Sequence, residues 1–252
     1  MAFEYAGLAV LLLVAFVPSL VYMVRIRNLE RYNRNPWVLV LYAFGWGAIA
    51  AVIIAVILEI FLPQHLDAFR PARVPEDLFL ATVIAPIAEE FAKIVGLLPL
   101  VFSRRWEEED GLVLGAASGL GFAATENLLY EYNAFVTGGA LAFVMVAILR
   151  ILTSTLLHAS ATAMSGWGLS KWKQAGIVKG IPKFLAFLLL AMIMHGFFNL
   201  FASLGEISGG NIAFTLLSLA LVFIFAGRTY RFVRTTIQNL DRRGAPRPVY
   251  QM

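Results

Sequence analysis

Cysteine is absent from the 252 residues, which excludes disulfides, thiolate metal ligands and a cysteine nucleophile. Charge is also scarce: 14% of the residues are Asp, Glu, Lys or Arg and 60% are apolar, against roughly 25% and 45–50% in a soluble domain. There is no polar stretch long enough for a soluble domain, and no internal repeat. Any metal must therefore be held by His, carboxylate or amide oxygen. The net charge of +4 does not point to nucleic acid, because Lys and Arg gather at the ends of apolar runs, where they read as topology signals and contacts to anionic lipid.

What the chain does contain is apolar length. Runs of about 20 residues recur throughout, predicting an all-α, polytopic helical bundle in the lipid bilayer. Seven spans are expected, at 3–24, 37–62, 78–102, 111–131, 139–169, 184–204 and 211–230. The fifth is too long for one untilted crossing, so it tilts, extends beyond the bilayer or breaks near Arg150; the last case gives eight helices. With the amino terminus outside, Arg25, Arg27, Arg31, Arg34, Arg104, Arg105, Lys171, Lys173, Lys179, Lys183, Arg228, Arg231, Arg234, Arg242, Arg243 and Arg247 all fall on the cytoplasmic side, and Arg70 and Arg73 outside. The positive-inside rule thus sets the orientation and places the carboxyl terminus in the cytoplasm of a cell-membrane protein. The first span has no basic residue before it and no small-residue cleavage site after it, so it reads as a retained helix. Residues 1–237 form one transmembrane domain, and 238–252, with Arg242, Arg243, Pro246, Arg247 and Pro248, read as a basic, disordered tail.

Against this background the ionisable residues inside the spans stand out. Glu89, Glu90 and Lys93 follow Pro86 in span three; spacings of four and three put both carboxylates within one turn of the ammonium. Pro86 removes a backbone bond one turn earlier and can open the helix to water. One structural ion pair needs one acid, and this span supplies two. Span four carries Gly111, Gly115 and Gly119 at four-residue spacing, a packing stripe, followed by Glu126 and Asn127. Span five places Arg150, Ser154 and His158 at four-residue spacing, and span six does the same with His195 and Asn199. His65, beside Gln64 and Asp67 in a loop, reads as solvated. Glu89, Glu90 and Glu126 against Lys93 and Arg150 leave one negative charge, which a proton, a histidinium or a bound cation must balance. Glu126, His158 and His195 make a ligand set for zinc or another divalent ion. A metal-free acid and base pair satisfies the same count.

Four stretches carry a family resemblance: Glu89-Glu90-Phe91-Ala92-Lys93, Phe122-Ala123-Ala124-Thr125-Glu126-Asn127, the region of His158, and His195-Gly196-Phe197-Phe198-Asn199. In this order, on separate helices, they resemble the PrsW family of intramembrane proteases, within the superfamily of CAAX prenyl endopeptidases and bacterial self-immunity proteins. The resemblance implies hydrolysis of a peptide bond of a membrane-anchored protein such as an anti-sigma factor. It implies Glu89 and Glu90 near the water, His195 and Asn199 facing the carbonyl, and His158 completing the site. Glu126 is the sixth candidate catalytic residue, and Lys93, Asn127 and Arg150 are read as supporting it. The second motif ends in Glu126 where prenyl endopeptidases have histidine, so a CAAX substrate does not carry over. Other protease designs fit poorly. Asp67, Asp77, Asp110 and Asp241 lie outside the spans, no HExxH occurs, and Ser118 and Ser165 lack a GxSG frame and read as packing residues. A proton- or ion-coupled transporter and a non-catalytic immunity or scaffold protein are the rival readings. The first lacks the inverted repeats common in transporters, and the second is distinguished by cleavage that never appears.

Overall fold

The structure, a computed structural model, describes residues 2–103 and 106–243. Arg104, Arg105 and the end of the basic tail with Pro246, Arg247 and Pro248 lie outside the described residues. Among those described there is no strand, as befits a chain whose backbone groups must be satisfied within each lipid-facing segment. The helices are α1 (Ala2–Arg27), α2 (Trp37–Gly45), α3 (Val52–Leu66), α4 (Glu76–Phe79), α5 (Ala85–Val95), α6 (Leu98–Ser103), α7 (Glu108–Leu152), α8 (Ser154–Ala175), α9 (Ile177–Ile207) and α10 (Ile212–Arg243). A π-helical turn, Trp46–Ala51, joins α2 to α3, and another, Leu80–Ile84, joins α4 to α5.

Five helical runs are long and apolar enough to cross a membrane by length and composition, fewer than the expected spans. Two causes account for the difference. The third expected span is broken into α4, a π turn, α5 and α6, and its middle is charged. The fourth and fifth fall in one continuous helical run from Glu108 to Ala175. Within that run α7 turns back at Gly139, whose φ of 71° and ψ of −165° lie where glycine has no side chain to clash. The returning arm brings Phe143 against Phe135, with centroids 6.5 Å apart, and Arg150 against Glu126. The break expected near Arg150 comes at Thr153 (φ −127°, ψ −74°), where α8 begins. Arg150 therefore does not share a helix face with Ser154 and His158.

The buried centre is the pair α7 and α8, which run antiparallel. A Cβ on Gly111, Gly115 or Gly119 would lie 2.0, 2.4 or 2.2 Å from the carbonyl oxygens of Gly166, Thr162 and His158, respectively. The glycine stripe thus lets two backbones touch, which suits a lipid-embedded core in which close packing replaces the hydrophobic effect. Around this pair α1, α2, α9 and α10 contribute apolar residues such as Ile26, Val40, Leu188 and Ile237. Exposed Leu, Ile, Val and Phe cover the outer surfaces, as expected of lipid-facing helices.

The last helix runs to Arg243, past the expected start of the tail at Gln238. Asp241 is the reason. Buried at 2% exposure, it accepts hydrogen bonds from the backbone N–H groups of Arg31 and Tyr32 at 2.9 and 3.1 Å, fastening the end of α10 to the loop between α1 and α2.

Candidate active site

Four helices deliver the site. On α5, the i, i+3 and i+4 spacing lets Lys93 Nζ donate to Glu90 Oε1 and Glu89 Oε2, both at 2.9 Å. Its third contact crosses to α8, where His158 Nδ1 lies 2.9 Å away. All three ammonium donors are thus engaged, and the charge also lies 4.0 Å from the centre of the Phe122 ring. An ammonium fully removed from water needs this many partners.

The remaining contacts fix the imidazoles. With Lys93 donating to Nδ1, His158 carries its proton on Nε2 and donates it to Glu126 Oε2 at 2.7 Å. Arg150 Nη2 holds the same Glu126 oxygen at 2.8 Å, and Arg150 Nε donates to Asn127 Oδ1 at 2.7 Å. Asn127 Nδ2 donates in turn to Thr155 Oγ1 at 2.9 Å. His195, on α9, has Nδ1 3.1 Å from Glu90 Oε1, which leaves Nε2 as its free nitrogen. Glu90 also accepts from Thr162 Oγ1 at 2.9 Å, so it is the most firmly anchored acid in the cluster. The two imidazole rings stand edge to face, 4.9 Å apart.

Five of the six residues singled out as catalytic come together: Glu89, Glu90, Glu126, His158 and His195. Asn199 does not join them. Its Nδ2 donates to the carbonyl of Ala81 at 2.8 Å, an acceptor in the π turn one helix turn before Pro86. Pro86 has no N–H to offer that stretch of backbone, and Asn199 makes up the loss. The cluster is largely closed to the surface. Glu89, Glu90, His158 and His195 are 6%, 0%, 1% and 2% exposed, and Glu126 is the most open member, its side chain 21% exposed.

Ligand atoms of Glu89, His158 and His195 lie within 4.8 Å of one another. In donor type and spacing they fit a divalent ion. The expected set named Glu126 in place of Glu89, but Glu126 is bound to the far nitrogen of His158 and to Arg150, the position of an outer partner that orients a ligand. Lys93 complicates the fit: its ammonium sits on Glu89 Oε2 and on His158 Nδ1, so it and an ion compete for the same atoms.

Two acids escaped the sequence reading. Glu131 is fully buried on α7, with neither carboxylate oxygen hydrogen-bonded among the described residues. Glu59 on α3 lies within electrostatic range of Glu89, Glu126, Lys93 and His195. A lone acid in an otherwise apolar run was the available signal for it.

The family model for PrsW family intramembrane metalloproteases matches residues 35–227. Protease PrsW of Clostridioides difficile (strain 630) is 30% identical over 192 residues, which cover 75% of this chain and 77% of that protein. No solved structure matches the chain. The matched region contains every residue of the cluster and most of the helical bundle, and the chain belongs to the PrsW family of intramembrane metalloproteases.

Proposed function

We propose that this membrane protease is an endopeptidase that hydrolyses a peptide bond of a membrane-anchored protein at the cluster of Glu89, Glu90, His158 and His195. The observation that carries the reading is the convergence of two acids, two imidazoles and an ammonium from α5, α8 and α9 at a place closed to bulk water. Charges so placed cost several kcal/mol each, and a purely structural role needs fewer of them.

The chemistry follows from the contacts. Glu89 engages Lys93 through Oε2 alone, so Oε1 remains to accept a proton from an attacking water and to pass it to the leaving amine as the C–N bond breaks. Glu90, tied to Lys93, Thr162 and His195, accepts from the His195 ring at Nδ1 and leaves the Nε2 lone pair facing the site, where it can accept a proton or bind a cation. Glu126 keeps His158 in a single tautomer, with Arg150 and Asn127 holding Glu126 in place. A divalent ion on Glu89, His158 and His195 would supply Lewis acidity and a water of lowered pKa. Low dielectric around the cluster strengthens each of these interactions.

A substrate anchored in the lipid, such as an anti-sigma-factor-like regulator, is part of the proposal. So are the cell membrane, the external amino terminus and the cytoplasmic carboxyl terminus, which rest on the distribution of Lys and Arg. The wider CAAX endopeptidase superfamily is proposed on the same four motifs.

The test is cleavage of single-span membrane peptides by protein reconstituted in lipid, before and after chelation, beside Glu89→Gln, Glu90→Gln, His158→Ala and His195→Ala. Each variant is expected to remain folded and to lose at least about a hundredfold in kcat/KM. Cleavage at near-normal rate by the four variants refutes the assignment. Chelation is expected to abolish cleavage and zinc to restore it; full activity with less than about a tenth of an equivalent of bound transition metal leaves the general-base route alone.

A further inference from the structure

Hydrolysis consumes one water for each bond cut, and the cluster is buried, so the protein needs a way to deliver water to it. Ala51, the last residue of the first π turn, and Ala55 on α3 are buried against Ala92 of α5 and Phe122 of α7. Glu59 follows Ala55 by four residues on this same helix, as Glu126 follows Phe122, while Ala88 and Glu89 precede Ala92 by four and three on α5. One turn beyond the alanine contact, Glu59 therefore faces the acids of both neighbouring helices, consistent with its electrostatic reach to Glu89, Lys93, Glu126 and His195. Each of those acids has a cation within hydrogen-bonding distance. Glu59 makes no side-chain hydrogen bond or ion pair among the described residues.

Further along α3 the half-buried stripe continues as Leu62, Pro63 and Leu66. It ends at a cavity of about 270 Å³ lined by Pro63, Gln64, Asp67, Glu76, Phe79 and Leu80. Pro63 is one turn from Glu59, and Leu80 opens the π turn that leads into α5. The loop cavity, with Gln64, Asp67 and Glu76 in its lining, a carboxylate one turn from Pro63 and the Glu89 cluster beyond thus follow one another as a line on the α3 and α5 side of the bundle.

We propose that this line is the water-entry path of the site, and that Glu59 is a positioning residue that holds water between the loop cavity and Glu89. The inference rests on the hydrolytic reading, but its first test does not require turnover. The chain has no cysteine, so single thiols can be placed in an otherwise unreactive background. With protein in nanodiscs, open on both faces, Glu59→Cys and Leu62→Cys should react with a small charged methanethiosulfonate at least about tenfold faster than Ile57→Cys and Ile60→Cys, which face lipid and where the thiol stays protonated and the reagent is excluded. Reaction at Glu59→Cys and Leu62→Cys no faster than at the lipid-facing positions overturns the path. So does a path on the opposite side, seen as fast reaction of Ser154→Cys, in the cavity beside Arg150, with none at position 59 or 62.

The second test is kinetic. Glu59→Gln should lower kcat for a cleavable membrane peptide about tenfold with KM little changed, and Glu59→Asp should recover part of the loss. Unchanged kcat in Glu59→Gln removes the positioning role. If no variant, nor the parent, cleaves any peptide while the thiol pattern holds, the hydrolytic reading fails and the water path stands.

Discussion

At the level of single residues, Lys93 is the hub. It holds one oxygen from each of two adjacent acids and one nitrogen of His158, and its burial is complete. Replacing it with methionine keeps the volume and removes the charge, leaving Glu89 and Glu90 side by side without their nearest cation. Breaking a buried ion pair from one side costs about 3–5 kcal/mol, so Lys93→Met is expected to lower the thermal unfolding midpoint in detergent. Activity should also fall, since His158 loses the donor that fixes its tautomer. Lys93→Met combined with Glu90→Gln should recover stability without recovering cleavage, a split that circular dichroism melts and peptide cleavage on the same preparations would reveal. A double variant as unstable as the single one would show that the ammonium does not serve the acids. Asn199 makes the contrasting case: the same sequence motif that supplies His195 supplies a residue whose contact is structural, a carbonyl that Pro86 cannot serve.

At the level of elements, the register between α7 and α8 sets the position of His158. Gly119 lies against the His158 carbonyl so closely that a Cβ there would sit 2.2 Å from the oxygen and 2.7 Å from the carbon. Backbone cannot yield as a flexible side chain does, so Gly119→Val should push the helices apart and carry His158 away from Lys93 and Glu126. A loss of about a hundredfold in kcat/KM is expected, whereas Gly227→Ala on α10, with nothing within 4 Å of its would-be Cβ, should be neutral. Equal activity in the two variants would mean that the stripe does not position the histidine. The stripe was legible in the sequence because four-residue glycine spacing has one geometric meaning in a helix. So were the acids, the lysine and both histidines, since a charge within an apolar run is too costly to persist without a use. Less legible were features that depend on what surrounds a helix. Hydropathy cannot tell that α5 tolerates its charges because α7, α8 and α9 enclose them. Glu59 was passed over because a single acid near the end of a span looks like an edge residue until α5 and α7 are seen beside it.

At the level of the whole molecule, the bundle is closed at the basic end by a polar knot distant in sequence from the site. Glu30, in the loop between α1 and α2, accepts from the Asn35 backbone N–H at 2.9 Å and from Asn35 Nδ2 at 2.8 Å; the same amide donates to Asp110 at the start of α7 at 2.8 Å. Asp241 ties α10 to this loop. Burial raises the Glu30 carboxyl from 4.5 to about 7, against the Asn35 hydrogen bonds and with help from Asp110 and Glu109. The folded protein therefore holds this proton more tightly than the unfolded chain. Below pH 4.5 both states are protonated and Glu30 costs nothing. Between pH 4.5 and about 7 the unfolded state loses its proton first, so stability falls as pH rises; above about 7 the penalty is complete and constant. The difference between about 7 and 4.5 sets a ceiling on the order of 3 kcal/mol. Subtracting the unfolding profile of Glu30→Gln from that of the parent, in detergent from pH 5 to pH 8, isolates this contribution from Glu109 and the other acids. The parent should lose stability relative to the variant across that range and level off above pH 7. A flat difference, or one rising with pH, would mean that the carboxylate is held charged in the fold and that the knot is an ion-stabilised clamp instead of a protonated one.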